Sequence, residues 1–398
     1  MTQPPGPDMG KPQWEAHTWL EPIVVAGIML GSCYVNRRRD YTIRRTGEEQ
    51  ASLDHPKLEA HDDLDFADSF DEESLPSLGS TTLRTHQPPK ERSCCGTIVR
   101  TPNSSRFANN WQSRFLQKYP FLVEMFYWAI NFVTYAGCKA LGEVLFSHDG
   151  VWELSKKHGI FVLWLEHESF FSWLFPLREV DVQQFFMNHH PDLLTFLNRM
   201  YSLVHIPATV SFISWYYYAA PSHDHFVTMR RMMTLTNFLS FGIFTAWPCM
   251  PPRLLPEEFG FFDTVRRDSA QSVWASGKFF NQLAAFPSLH FGYSFCVGVT
   301  LVYHSGVFRR LGLGRREKRM SKLWQIAYVL LGVLYPAFVL TIIVATANHY
   351  WFDAMAGGIV VGIAFLCNRI FLALLPLEDI FLWCVRLEKP VPTTGMRG

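Results

Sequence analysis

Apolar positions are unevenly spread along this chain. They are sparse up to about residue 116, and from Pro120 they gather into six long runs, roughly 120–146, 199–220, 229–248, 287–304, 324–346 and 352–375. Each run approaches the ~20 residues that an α-helix needs to cross about 30 Å of hydrocarbon. A shorter run at 18–35 contains Glu21 and Pro22 and is followed at once by Arg37-Arg38-Arg39. A cleaved signal peptide carries its positive charge before the apolar stretch, so this order predicts an anchor helix over 18–36 with its amino terminus outside the cytosol. The piece from Ile160 to Pro176 is interrupted by Glu166, His167 and Glu168 and reads as an interfacial or re-entrant helix. The pattern predicts an all-α integral membrane protein: a six-helix transmembrane core bundle over 117–376 plus the amino-terminal anchor.

The polar parts complete this layout. Residues 1–17 are rich in Pro, Gly and Gln and are expected to be disordered. Residues 37–116 read as a disordered acidic cytosolic linker, with Glu48, Glu49, Asp62, Asp63, Asp65, Asp68, Asp71, Glu72 and Glu73 and few large apolar side chains to bury. Residues 377–398 form a cytosolic tail. The connection from 305 to 322 carries Arg309, Arg310, Arg315, Arg316, Lys318, Arg319 and Lys322 against Glu317 alone, which marks it as cytoplasmic. Counting spans outward from it puts Arg230 and Arg231 at a cytoplasmic helix start. The same count brings Arg253, His290 and His349 to the opposite face.

Charge and cysteine content remove several function classes. Lys plus Arg total 36 against 35 for Asp plus Glu, a balance that argues against a general nucleic-acid binder. The eight cysteines contain no Cys-x-x-Cys pair, so neither a disulfide framework nor a zinc module organises the chain. Cys94-Cys95 reads as two free thiols, with acylation as the alternative. His189-His190-Pro191-Asp192 reads as a helix cap, with a metal pair as the alternative.

Ionisable residues at the ends of apolar helices are costly and point to function. His349 and Asp353 are one helical turn apart and share a face, so the carboxylate can hold one ring nitrogen while the other acts as nucleophile or base. His290, at the head of another run, can protonate a leaving oxygen. Ser288 and the helix start after Pro287 offer donors to an anion, and Arg253 offers a forked, permanent cation. Together these groups suit phosphoryl transfer with no metal and no cofactor. Taken singly, each has a plainer reading: a helix-helix hydrogen bond for either histidine, a structural ion pair or a zinc site completed by His290 for the His/Asp pair, and headgroup anchoring for Arg253.

Pro287-Ser288-Leu289-His290 followed by His349-x-x-x-Asp353 resembles the second and third motifs of the type 2 phosphatidic acid phosphatase superfamily. Cys249-Met250-Pro251-Pro252-Arg253-Leu254, Asn348-His349-Tyr350 and His205-Ile206-Pro207 resemble its inositol phosphorylceramide synthase (aureobasidin-resistance) branch more specifically. The resemblance covers about 120–375. It implies a helical six-span core and a phosphohistidine intermediate, with His349 attacking phosphorus, Asp353 orienting it, His290 protonating the departing alkoxide, and Arg253 and Ser288 holding phosphate oxygens. It implies a lipid substrate and an endomembrane, Golgi or endoplasmic reticulum, with the site facing the lumen. Transfer to water would make a lipid phosphatase, and transfer to another hydroxyl a headgroup transferase. A lipid binder that has kept the frame without turnover is the non-enzymatic alternative.

The sequence departs from the phosphatase pattern. Ala246 stands where a lysine is usual seven residues before Arg253, Ile343 where an arginine is usual six residues before His349, and Leu289 where the second motif has glycine. Arg266, Arg267 and Lys278 in the same exterior loop are the nearby cations that would make up the charge, with a solvated loop charge as the plainer reading of each.

Overall fold

The structure is a computed structural model, and it describes residues 20–43, 88–94, 97–145, 150–267, 283–307 and 320–395. The expected disorder at 1–17, most of the acidic linker, the core of the basic connection, Cys95 and Lys278 lie outside the described residues. In chain order the helices are α1 (Leu20–Val35), then, after strands β1 (Lys90–Cys94) and β2 (Thr97–Thr101), α2 (Trp111–Lys118), α3 (Phe121–Leu145), α4 (Gly150–His167), α5 (Glu179–His189) and α6 (Pro191–Arg199). They continue with α7 (His205–Ala219), α8 (His223–Ala246), α9 (Leu289–His304), α10 (Lys322–Ala345), α11 (Trp351–Cys367) and α12 (Leu375–Cys384). A π turn at Met200–Val204 joins α6 to α7.

Every one of the six apolar runs is occupied by a helix. Two stretches among the described residues are long and apolar enough to cross a membrane, Lys322–Ala345 and Trp351–Cys384. Only 28% and 17% of their most apolar windows are buried, so these are not core helices of a water-soluble domain. Along α10, Leu323, Ile326, Leu330, Leu331, Val333 and Leu334 all point outward, as a lipid-facing surface requires. The others fall short for local reasons. The 16 residues of α9 reach about 24 Å at 1.5 Å per residue, and α8 carries Asp224, Arg230 and Arg231. The predicted amphipathic piece differs from expectation in extent: α4 starts at Gly150 and ends at His167, and a 3₁₀ turn follows at Phe170–Leu174. His190 is the N-cap position of α6 with Pro191 in its first turn, where proline loses no hydrogen bond.

The chain divides into two compact units. The larger, built on residues 125–368, contains the candidate chemistry. Helices α9 and α10 cross tightly, and a Cβ on Gly332 would lie 2.7 Å from the Gly298 carbonyl oxygen. Pro336 lies one turn beyond Gly332 in α10, and having no N–H it leaves the Gly332 carbonyl without its helical donor. Small residues let the backbones approach here as they do in membrane bundles.

The smaller unit carries regular structure in the described part of the region read as linker, at residues 88–94 and 97–116. Strands β1 and β2 pair antiparallel with Lys90 opposite Thr101 and Cys94 opposite Thr97. Asp379 of α12 accepts from Arg92 Nε at 3.0 Å, Lys90 Nζ at 3.3 Å and Thr101 Oγ1 at 2.8 Å. Gln117 bonds the backbone of Lys389 and Val391 at 3.3 and 3.2 Å. The predicted linker end and the predicted tail thus fold on one another, because the basic strand side chains find a buried carboxylate almost 290 residues away.

Candidate active site

Three segments distant in sequence, 248–254, 283–288 and 346–353, are tied together by main-chain hydrogen bonds. Cys249 and Ala284 form a parallel bridge, with Cys249 N donating to Leu283 O at 2.7 Å and Ala285 N to Cys249 O at 3.1 Å. Arg253 N donates to Ala347 O at 2.9 Å, and Ser288 N to Asp353 O at 3.0 Å. The carboxyl end of α8, the amino end of α9 and the junction of α10 with α11 therefore meet at one place, where the sequence pattern had put its candidate residues.

The turn that presents His349 is set by the end of α10. Ala347 N bonds Val344 O at 2.9 Å and Asn348 N bonds Ile343 O at 3.0 Å, the paired closure of a Schellman motif. Its left-handed position is Ala347, at φ 52, in place of the usual glycine. Thr346 Oγ1 accepts from Asn348 Nδ2 at 2.7 Å, and Asn348 Oδ1 accepts from Arg253 Nε at 2.8 Å.

His349 is buried, and its Nδ1 lies 2.8 Å from the Ala285 carbonyl oxygen. A carbonyl only accepts, so Nδ1 carries the proton and Nε2 presents its lone pair. Asp353 contributes less directly than the four-residue spacing predicts. Its Oδ2 is 3.4 Å from His349 Nδ1 and accepts from Tyr350 N at 3.0 Å. The imidazole is thus oriented first by a backbone oxygen and second by the carboxylate. His290 stands beside it, the ring centroids 5.6 Å apart. The other side of His290 is packed by Tyr201 at 4.2 Å, nearly parallel, and by His205 at 4.5 Å. Tyr201 comes from the π turn, a local widening that recurs at functional sites.

Ser288 is the N-cap of α9, its Oγ accepting from Phe291 N at 3.2 Å, which leaves the hydroxyl proton free to donate. Arg253 is not the open fork that the sequence suggests. Its Nη1 is paired with Asp263 at 2.9 Å and its Nε with Asn348, leaving Nη2 without an acceptor among the described residues. Ala246 is exposed and Ile343 fully buried, and the side chains of Arg266 and Arg267 lie outside the described residues.

A second cluster borders the site. Glu166, His167 and Glu179 place three ligand atoms within 4.8 Å of one another, so this is the set among the described residues whose geometry suits a metal ion. Both glutamates are fully buried. His189 is exposed, with its Nδ1 at 3.2 Å from Phe185 O.

Residues 162–314 match the PAP2 superfamily model. The matched region contains Arg253, Ser288 and His290 and ends before His349 and Asp353. The match supports the superfamily, a membrane setting and phosphatase- or phosphotransferase-type lipid chemistry in general terms, without reaching the synthase branch. No curated protein and no solved structure matches the chain.

Sequence reasoning missed Asp263, Tyr201 and the Ala285 carbonyl as parts of the site. It also missed Tyr350, which is fully buried and donates through its hydroxyl to Met250 O at 2.8 Å. A Cβ on Gly159 would come within 2.7 Å of that hydroxyl, so the ring end is seated against the α4 backbone. Tyr350→Phe should cost ~1–3 kcal/mol by stranding a buried carbonyl. Thermal unfolding in detergent checks this, and an unchanged Tm would refute it.

Proposed function

We propose that the protein is a membrane-embedded lipid phosphotransferase resembling inositol phosphorylceramide synthase, working through a phosphohistidine on His349. The observation that carries this is the His349 ring, held with its Nδ1–H donating to Ala285 O so that Nε2 is left as the nucleophile, with His290 one ring away. Nε2 attacks phosphorus of the donor, the bond to the diacylglycerol oxygen breaks, and His290 delivers its proton to that oxygen. His290 then takes the proton of the acceptor hydroxyl, whose oxygen attacks phosphorus and frees Nε2. Arg253 Nη2, the Ser288 hydroxyl and the amino terminus of α9 hold the phosphate oxygens. Asp353 stabilises the imidazolium. No metal takes part.

In this reading all six core helices cross the bilayer and α1 anchors the amino terminus. The site faces the lumen of an endomembrane compartment, Golgi or endoplasmic reticulum. Among the described residues Arg253 is already neutralised by Asp263 and no cation stands at 246 or 343, which leaves little positive charge there for a free phosphate dianion. A phosphodiester donor, with one negative charge, suits that deficit better than a phosphomonoester, and this favours the transferase over the lipid phosphatase. Purified protein incubated with ceramide plus phosphatidylinositol should form an inositol phosphorylceramide, and phosphatidate should be spared. Release of phosphate from phosphatidate alone would assign the phosphatase. Lipid binding without turnover, unaltered by His349→Ala, would make the protein a non-enzymatic binder.

A further inference from the structure

Helix α11 begins immediately after His349, and its first amides are taken by carboxylates from three places. Tyr350 N donates to Asp353 of the same turn. Trp351 N donates to Glu179 Oε1 at 3.2 Å, and Phe352 N to Glu166 Oε1 at 2.5 Å. A helix amino terminus is a natural anion site, and here it is already filled by the protein. Phosphate is therefore left to the amino terminus of α9, and the amino terminus of α11 serves another purpose.

Glu166 lies in the last turn of α4 and Glu179 starts α5, both outside the two long apolar helices. Each glutamate spends Oε1 on an α11 amide and turns Oε2 towards His167 Nε2. Glu179 Oε2 is 2.8 Å from His167 Nε2, and Glu166 Oε2 is 3.8 Å from the same nitrogen. Glu166 Oε2 has no donor among the described residues. The ligand atoms of the two glutamates lie within 4.8 Å of each other, and two ionised carboxylates so close in a dry site repel, so that a proton shared between them relieves both. Burial first, and the sharing with Glu179 second, push the Glu166 carboxyl up to about 11. Burial alone would raise Glu179 as well, but its bonds to His167 and Glu166 outweigh that and hold it below the usual range.

We propose that Glu166 and Glu179 are positioning residues for the reaction at His349: an acid and its carboxylate partner that together clamp the start of α11 and so fix where the His349 imidazole points. Neither touches substrate. The inference rests on His349 being the nucleophile, because only then does the placement of this turn govern turnover.

The pair makes an asymmetric prediction. Glu166→Gln keeps an acceptor for Phe352 N and a permanent N–H towards Glu179, so it should retain kcat within about threefold, whereas Glu166→Ala and Glu179→Gln should lower kcat by about 100-fold, the scale of a small misplacement, with KM changed little. Amide exchange of the peptide spanning 349–355, measured on the full chain in detergent, should quicken in Glu166→Ala and Glu179→Gln and stay slow in Glu166→Gln. That readout needs no activity and so separates this inference from the identity of the nucleophile. If His349→Ala kept turnover while the exchange pattern held, the phosphohistidine reading would fail and the clamp would stand. The proposal is overturned if Glu179→Gln matches wild type in both kcat and exchange, or if Glu166→Gln is as impaired as Glu166→Ala. Stoichiometric divalent metal that co-purifies with the wild type and is lost in Glu179→Gln would also overturn it, assigning the cluster to a cation.

Discussion

Alanine at His349 should end turnover, with a loss of at least ~10³-fold in kcat, the scale seen when a member of a concerted catalytic group is removed. Alanine at His290 should lower kcat by ~10²–10⁴-fold, the usual worth of a positioned general acid. The two losses have different chemistry. With His349 absent no phosphorus-nitrogen bond can form, so a donor labelled in its phosphate should leave no acid-labile label on the chain. With His290 absent the nucleophile remains and only the proton for the departing oxygen is missing. A donor whose leaving group needs no proton, such as a nitrophenyl ester, should therefore restore phosphorylation in His290→Ala and not in His349→Ala. The ring separation of 5.6 Å makes this split meaningful, since both imidazoles reach one phosphorus without having to serve the same atom. Full activity in His349→Gln would rule out the covalent route.

The second large effect is expected at a residue without a side chain, Gly357. A Cβ there would stand 2.6 Å from the carbonyl oxygen of Ser288, a main-chain atom that cannot swing aside. Gly357→Ala must therefore move α11 away from the start of α9. That separation would loosen the 3.0 Å bond from Ser288 N to Asp353 O, the link between the start of α9, which carries His290, and the start of α11, which follows the His349 turn. A misplacement of a few tenths of an ångström to 1 Å at reacting atoms can cost about 100-fold, so kcat should fall on that order. The neighbour is an internal control, because a Cβ on Gly358 meets Phe291 Cε1 at an ordinary 3.6 Å and Gly358→Ala should be near silent. Equal activity in the two variants, assayed on correctly inserted protein, would show that the contact does not govern the site.

These expectations also show which parts of the molecule can be read from the chain. The apolar runs announce the helices, since a bilayer-length stretch has few other uses. The proline and histidine punctuation at their ends marks the three segments that meet. The Ala285 carbonyl could not be foreseen, because every residue has one and only the fold decides which faces a histidine. Glu166 stood out as a charge inside an apolar piece, but its partners are the amides of Trp351 and Phe352, and no spacing rule links positions so far apart. Arg253 was legible as a cation and its neutralisation by Asp263 was not, because that aspartate lies in a loop without periodicity. Residues 88–116 read as linker because the strands contribute mostly polar side chains. Their partner is the buried Asp379, a single charge in another region of the chain.

The bonds that join residues 249 to 283, 253 to 347 and 288 to 353 run between peptide groups. A lineage carrying this frame can therefore exchange the side chains that greet the incoming alcohol or water while the two imidazoles stay where they are. Divergence between hydrolysing and headgroup-moving descendants then needs only a change in who is admitted, and reconstruction of the reacting geometry is unnecessary.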